Sequence, residues 1–81
     1  MTHWYLATFH THLSALLSHQ ALSRAGCPAR MMPVPRSLSS SCGTCVRYQA
    51  QEDCRELLDR DAEALYLEEE GGYRLLYRSE D

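Results

Sequence analysis

The sequence lacks a basic surplus. Its formal net charge is −3, and its arginines are scattered rather than striped along one face, so the electrostatic footprint that phosphate-backbone binding uses is missing. Nucleic acid is not an expected partner. No segment approaches the roughly 20 consecutive apolar residues that a membrane span needs, and the opening MTHWYLATFHTH shows no cationic leader followed by an apolar run. A cytoplasmic protein without a membrane partner is therefore expected. Paired carboxylates, a glycine-rich phosphate loop and a serine-based triad are absent from the pattern, as is any internal repeat. Biased composition is confined to the serines 39–41 and the glutamates 68–70.

What is present is ordinary globular material. The hydrophobic fraction of 44% and charged fraction of 23% over 81 residues are those of a folding chain rather than a disordered tail, and the length allows one domain, residues 1–81, with one core. A chain of this size buries only about 60–65% of the surface it exposes when unfolded, so its core is thin and a homodimer would help to stabilise it. There are four cysteines. In a reducing compartment they read as buried apolar residues, reactive thiols or metal ligands before they read as a disulfide framework.

The pattern along the chain alternates. Residues 3–9, with Trp4, Tyr5, Leu6, Ala7 and Phe9, form an apolar run without a breaker, as a strand buried on both faces requires. Thr11 can cap a following helix in which Leu13, Leu16, Leu17, Ala21 and Ala25 make an apolar stripe, ended by Gly26. Residues 29–34 read as a second strand, and Pro33 and Pro35 put it at a sheet edge because proline cannot donate to a ladder. After a serine-rich loop comes a third strand, residues 44–50. In it Thr44, Val46, Tyr48 and Ala50 share one face and Cys45, Arg47 and Gln49 the other. A second helix is expected from Gln51, with Cys54, Leu57 and Leu58 as its stripe, fading near Asp61. The end of the chain reads as a hairpin turning on Gly71-Gly72, with Glu69 facing Arg74, Leu67 facing Leu76 and Tyr66 facing Tyr77.

This order predicts an α+β fold, a ferredoxin-like βαββαβ sandwich. Its antiparallel sheet carries two helices on one face and a C-terminal β-hairpin extension. In that topology the first and second strands run the same way and the third runs back between them. The end of strand one, the start of helix one, the end of strand two and the start of strand three then meet at one corner. Cys42 falls there, near the unpaired N–H groups of a helix N-terminus, with His10 and Arg36 as neighbours, and each of these favours the thiolate. Gly43 can let a sulfur adduct or a partner backbone approach, or it simply begins the strand after a turn. Cys42 itself is either a functional thiol or a small buried hydrophobe.

The C-x-x-C of Cys42 and Cys45 raises a second question. Cys45 lies inside the strand with opposite parity, so the two side chains should point to different faces, and bridging them needs Cβ atoms within about 3.5–4.5 Å. A dithiol switch with Cys45 as resolving thiol stays open as an alternative. Zinc needs four ligands, usually from two closely spaced pairs. Only this pair exists, and although His10 and His12 could join it, no metal or other cofactor is expected. Cys27 and Cys54 read as structural, His3 and His19 as surface residues.

TFHTHLSAL (8–16) and VPRSLSSSCG (34–43), above all Pro35-Arg36, Leu38, Ser39 and Cys42-Gly43, resemble the selenium/sulfur (Se/S) carrier-like family of small bacterial proteins over about residues 4–50. The resemblance implies a carrier or adaptor in sulfur or selenium metabolism rather than an enzyme. Cys42 would accept a sulfane sulfur or selenium from a donor protein and hand it to an acceptor protein. Two features depart from the family's pattern: the position of Cys45 is usually apolar or alanine there, and the hairpin end is longer than its short final strand. A reading from a different class is a binding or oligomerisation module without covalent chemistry, docking a partner through an open sheet face that carries Trp4 or Tyr5.

Overall fold

The structure, a computed structural model, describes residues 1–80. Strand β1 (His3–Phe9), helix α1 (His12–Arg24), strands β2 (Ala29–Pro33) and β3 (Thr44–Ala50), a single 3-10 turn (Arg55–Leu57), and strands β4 (Ala62–Glu69) and β5 (Gly72–Arg78) follow one another. The strands form one sheet in the order β2-β3-β1-β4-β5, each pair antiparallel. β1 lies at its centre because its five residues from Tyr5 to Phe9 are all buried, a composition only an inner strand with both faces covered can hold. β2, ending on Pro33, is an edge strand.

The architecture is α+β with one helix, not two. The expected second helix is replaced by the 3-10 turn. The reason is length: β3 and β4 run parallel on either side of β1, so the linking residues 51–61 must travel back along the sheet by about 20 Å. As a helix rising about 1.5 Å per residue they would cover roughly 16 Å. An extended path with one turn covers the distance, and Cys54 at its bend takes a left-handed φ of 51°.

Helix α1 starts as the sequence predicts, with the Thr11 side chain accepting from the Ser14 backbone N–H at 3.2 Å. Its inward face does not. Ser14, Ala15, Ser18 and Leu22 are buried, while Leu13, Leu16 and Leu17 are 62%, 38% and 44% exposed. The sheet beneath is filled by Tyr5, Phe9 and Tyr48, all buried, and tight packing over such large side chains favours small ones on the helix. The Ser18 hydroxyl is not wasted in this position, because it accepts the backbone N–H of Asp59 at 2.8 Å and ties the β3–β4 crossover to the helix.

The terminal hairpin turns on Glu70-Gly71, one position earlier than expected, since Glu69 pairs with Gly72 and only Gly71 of the two glycines has a positive φ, 87°. Leu67 faces Arg74 and Leu65 faces Tyr77, with a bulge between Leu65 and Tyr66. The Glu69–Arg74 ion pair still closes, diagonally, at 2.7 Å.

Two apolar layers result. On the helix side Tyr5, Ala7, Phe9, Val46, Tyr48, Ala50 and Leu65 pack with Ala15 and Leu22. On the other side Leu6, Cys45, Ala64 and Tyr66 pack beneath Val34 and Leu38 of the β2–β3 loop. Trp4 and Tyr5 therefore do not share an open face. Tyr5 stacks on Tyr48 inside the helix-side core, with ring centroids 5.4 Å apart. Trp4 lies under the guanidinium of Arg47, 3.9 Å from its ring centre, and Arg47 is held in turn by Glu68 at 2.8 Å.

Candidate functional site

The corner anticipated from the topology is built by the end of β1, the start of α1, the β2–β3 loop and the start of β4. The loop closes on itself where the Val34 N–H donates to the Gly43 carbonyl at 3.1 Å, and turns where the Leu38 N–H donates to Pro35 O at 3.0 Å. Leu38 and Val34 anchor it on the far face of the sheet. Its serines fasten the near end: the Ser40 hydroxyl donates to Phe9 O at 3.2 Å, and Ser41 donates its backbone N–H and its hydroxyl to the two carboxylate oxygens of Glu63, at 3.2 and 2.6 Å. On the helix side the His12 Nδ1 is 3.3 Å from Thr44 Oγ1.

Glu63 is the residue that sequence reasoning missed. Burial raises its pKa, but the Ser41 hydroxyl and N–H, the nearby His10 and the Ser40 hydroxyl outweigh that and hold the carboxyl below its ordinary value. It is thus charged at neutral pH, and its Oε2 lies 3.7 Å from His10 Nδ1. The available signal was a single acid among alanines, Ala62-Glu63-Ala64, at the head of a strand that is otherwise apolar down to Leu67. A charge kept in such a run needs a partner.

Cys42 sits in this pinned loop, half-buried, packed against the helix-side core and with its thiol donating to the Thr44 carbonyl at 3.5 Å. Cys45 is fully buried on the other side of the sheet, where its thiol donates to Pro33 O at 3.7 Å. Burial, with a smaller contribution from the nearby Cys42, pushes the Cys45 thiol up to about 11. Both are free thiols that bond to different carbonyls. They lie on opposite sides of the sheet, Cys42 against the helix-side core and Cys45 in the layer under Val34 and Leu38.

His10 comes to the corner, but its ring faces Glu63. Arg36 lies exposed on the outer turn of the loop, and no hydrogen bond or ion pair holds it among the described residues. Gly43 adopts a φ of +75°, and a Cβ built there would meet no heavy atom of the described residues within 4 Å. What calls for glycine is therefore the left-handed backbone rather than close approach. Among the described residues no group of three or more His, Cys, Asp or Glu side chains could hold a metal ion, and no helix is long and apolar enough to cross a membrane. Beside the same corner, Thr11, Leu13 and Leu17 line a groove with residues 59–61.

Chemically, the arrangement offers a thiol at the rim of a sheet, on a loop fixed at both ends, with the start of α1 held beside it through His12 and Thr44. No curated protein and no solved structure matches the chain. A family model does, over residues 4–71, from β1 through the turn of the terminal hairpin, so that only β5 lies outside it. With most of its length covered, this chain belongs to the family described as "Putative Se/S carrier protein-like".

Proposed function

We propose that the protein carries sulfur or selenium on Cys42 between a donor and an acceptor protein. The Cys42 thiolate attacks the terminal sulfur of a donor persulfide. A new S–S bond forms as the donor's S–S bond breaks, and the donor leaves as a thiolate with the bonding pair. Transfer to the acceptor is the same step with the roles exchanged, and a selenium atom in the terminal position follows the same balance. No turnover by the carrier alone is needed.

The position of Cys42 carries this reading. It is a half-exposed thiol on a loop pinned through Ser40, Ser41 and Glu63, whereas Cys45 three residues on is sealed and firmly protonated. The bared leucines of α1 add support, because a carrier needs a surface on which donor and acceptor can dock, and Leu13 and Leu17 stand exposed in the first turns of the helix, where they line a groove with residues 59–61 of the β3–β4 crossover. We read the strand order β2-β3-β1-β4 as that of a ferredoxin-like sheet whose second helix has been reduced to a turn.

Incubation with a persulfide donor, followed by intact-mass and peptide analysis, tests the proposal. The expected result is a gain of one sulfur atom on the peptide containing Cys42, lost in Cys42→Ala and kept in Cys45→Ala. No gain on the wild type, or an undiminished gain in Cys42→Ala, would eliminate Cys42 as the carrier.

The second reading, a binding or oligomerisation module, draws on the leucine face rather than the sheet face first considered, since Tyr5 is in the core and Trp4 is covered by Arg47. It predicts that Leu13→Ser with Leu17→Ser abolishes self-association while Cys42→Ala leaves it intact, as read by sedimentation.

A further inference from the structure

On the far face of the sheet two arginines stand side by side. Arg30 of β2 and Arg47 of β3 are direct partners across the two strands, and like charges set directly opposite repel. Strand alternation puts Arg47 on the side of Cys45 and Trp4 on the side of Leu6, which is the same far face. Arg47 is held in place. Its guanidinium lies 3.9 Å from the centre of the Trp4 ring and donates to both carboxylate oxygens of Glu68, from Nε at 3.3 Å and from Nη2 at 2.8 Å. Arg30 is exposed, and no hydrogen bond, ion pair or ring contact holds it among the described residues. Glu68 is thus the one carboxylate bound to the arginine pair among the described residues, and one positive charge is left over. The two arginines line a surface cavity of about 180 Å³ together with Trp4, Pro28 and Ala29.

We propose that this cavity binds a small organic monoanion, a carboxylate with a compact apolar body, independently of Cys42 and of the carrier reading. A planar carboxylate matches the parallel N–H donors of a guanidinium, and the whole fork of Arg30 is open to it. A single negative charge cancels the surplus that the Arg30–Arg47 pair keeps after Glu68. The remaining lining, Trp4, Pro28 and Ala29, is apolar, so an organic body packs against it where an inorganic ion would leave it uncovered. Size narrows the class further. At about 180 Å³ the cavity is smaller than the roughly 300–1,000 Å³ of sites for drug-sized ligands, and its occupant is correspondingly small. Arg47 is already fixed by Trp4 and Glu68 before a ligand arrives, so binding has only Arg30 to order.

Trp4 is the sole tryptophan of the chain, so its emission reads the cavity directly. The probe is benzoate, with benzamide as its neutral counterpart and inorganic phosphate as an anion without an apolar body. Titration of the full chain with benzoate should give a saturable change in Trp4 emission, which benzamide does not give and phosphate gives only at far higher concentration. In amide and indole NMR spectra of the wild type, the shifts caused by benzoate should concentrate at Trp4, Ala29, Arg30 and Arg47. Arg30→Gln keeps most of the length of the exposed side chain without its charge, and should weaken benzoate binding by about tenfold or more, as the loss of charge-assisted hydrogen bonds requires. Because the repulsion between β2 and β3 is relieved, this variant should melt no lower than the wild type, and it should lose the rise in Tm that benzoate gives the wild type. Cys42→Ala should titrate as the wild type does. A response that is absent or does not saturate, an equal response to benzamide or to phosphate, or NMR shifts centred elsewhere would overturn the proposal on the wild type alone. Undiminished affinity in Arg30→Gln, a lower Tm of that variant, or weakened binding in Cys42→Ala would overturn it as well.

Discussion

Replacing Glu63 by glutamine removes the charge that fastens the Cys42 loop while keeping the shape of the side chain. The carboxylate accepts two hydrogen bonds from Ser41, at 2.6 and 3.2 Å, and lies 3.7 Å from His10. Hydrogen bonds to a charged group contribute about 1.5–3 kcal/mol each. Ser41 is solvent-exposed, and glutamine retains one acceptor, so the expected loss is about 1–2 kcal/mol. That corresponds to a roughly 5–30-fold rise in local opening. The assay is amide hydrogen exchange over residues 40–43, with Ser41→Ala as the second arm of a double-mutant cycle. A pH dependence accompanies it. Because the folded-state pKa of Glu63 is depressed, its contribution is present above the ordinary glutamate value of about 4.3 and is lost as pH falls through the folded-state value. Glu63→Gln should erase that part of the acid destabilisation. Unchanged exchange in residues 40–43, with Glu63→Gln and Ser41→Ala strictly additive, would refute the pinning argument.

Three further outcomes follow from the packing. The Thr8 hydroxyl is buried without a hydrogen-bond partner among the described residues, so Thr8→Val should be neutral or stabilising by up to about 1 kcal/mol in urea denaturation, and a loss above that would reveal a partner. Leu22→Ala should cost about 2–5 kcal/mol, whereas Leu13→Ser and Leu17→Ser should each stay within about 0.5 kcal/mol in the monomer; the reverse order would place the helix on its other face. The Cys45 thiol, pushed up to about 11 by burial and by Cys42, binds its proton more tightly folded than unfolded, so its contribution is full below the ordinary thiol range near 8.5 and declines as pH rises to about 11. Cys45→Ala should flatten that decline in thermal melts, and an unchanged slope would contradict the burial.

Much of this was legible in the sequence because it depended on local pattern. The breaker-free run of β1, the Thr11 cap, the edge position of β2 and the opposite parity of Cys42 and Cys45 all rest on spacing or on one residue's chemistry. The misreadings share a non-local cause. The second helix failed on the distance between strand ends, which periodicity does not measure. The leucine stripe of α1 lost to Ser14, Ala15 and Ser18 because the sheet below had already placed its large residues. The hairpin shifted by one position because a single left-handed glycine sufficed for its turn. Glu63 was missed because its partners, Ser41 and His10, come from two other segments of the chain.

The contrast between one thiol at the rim and one sealed under the loop is most directly measured by alkylation of the native protein under reducing conditions, quenched over time and resolved within the tryptic fragment of residues 37–47 by fragmentation mass spectrometry. Cys42 should be modified in the folded state, and Cys45 only at the rate at which the chain unfolds, slower by orders of magnitude. Equal rates for the two, or faster modification of Cys45, would contradict the account.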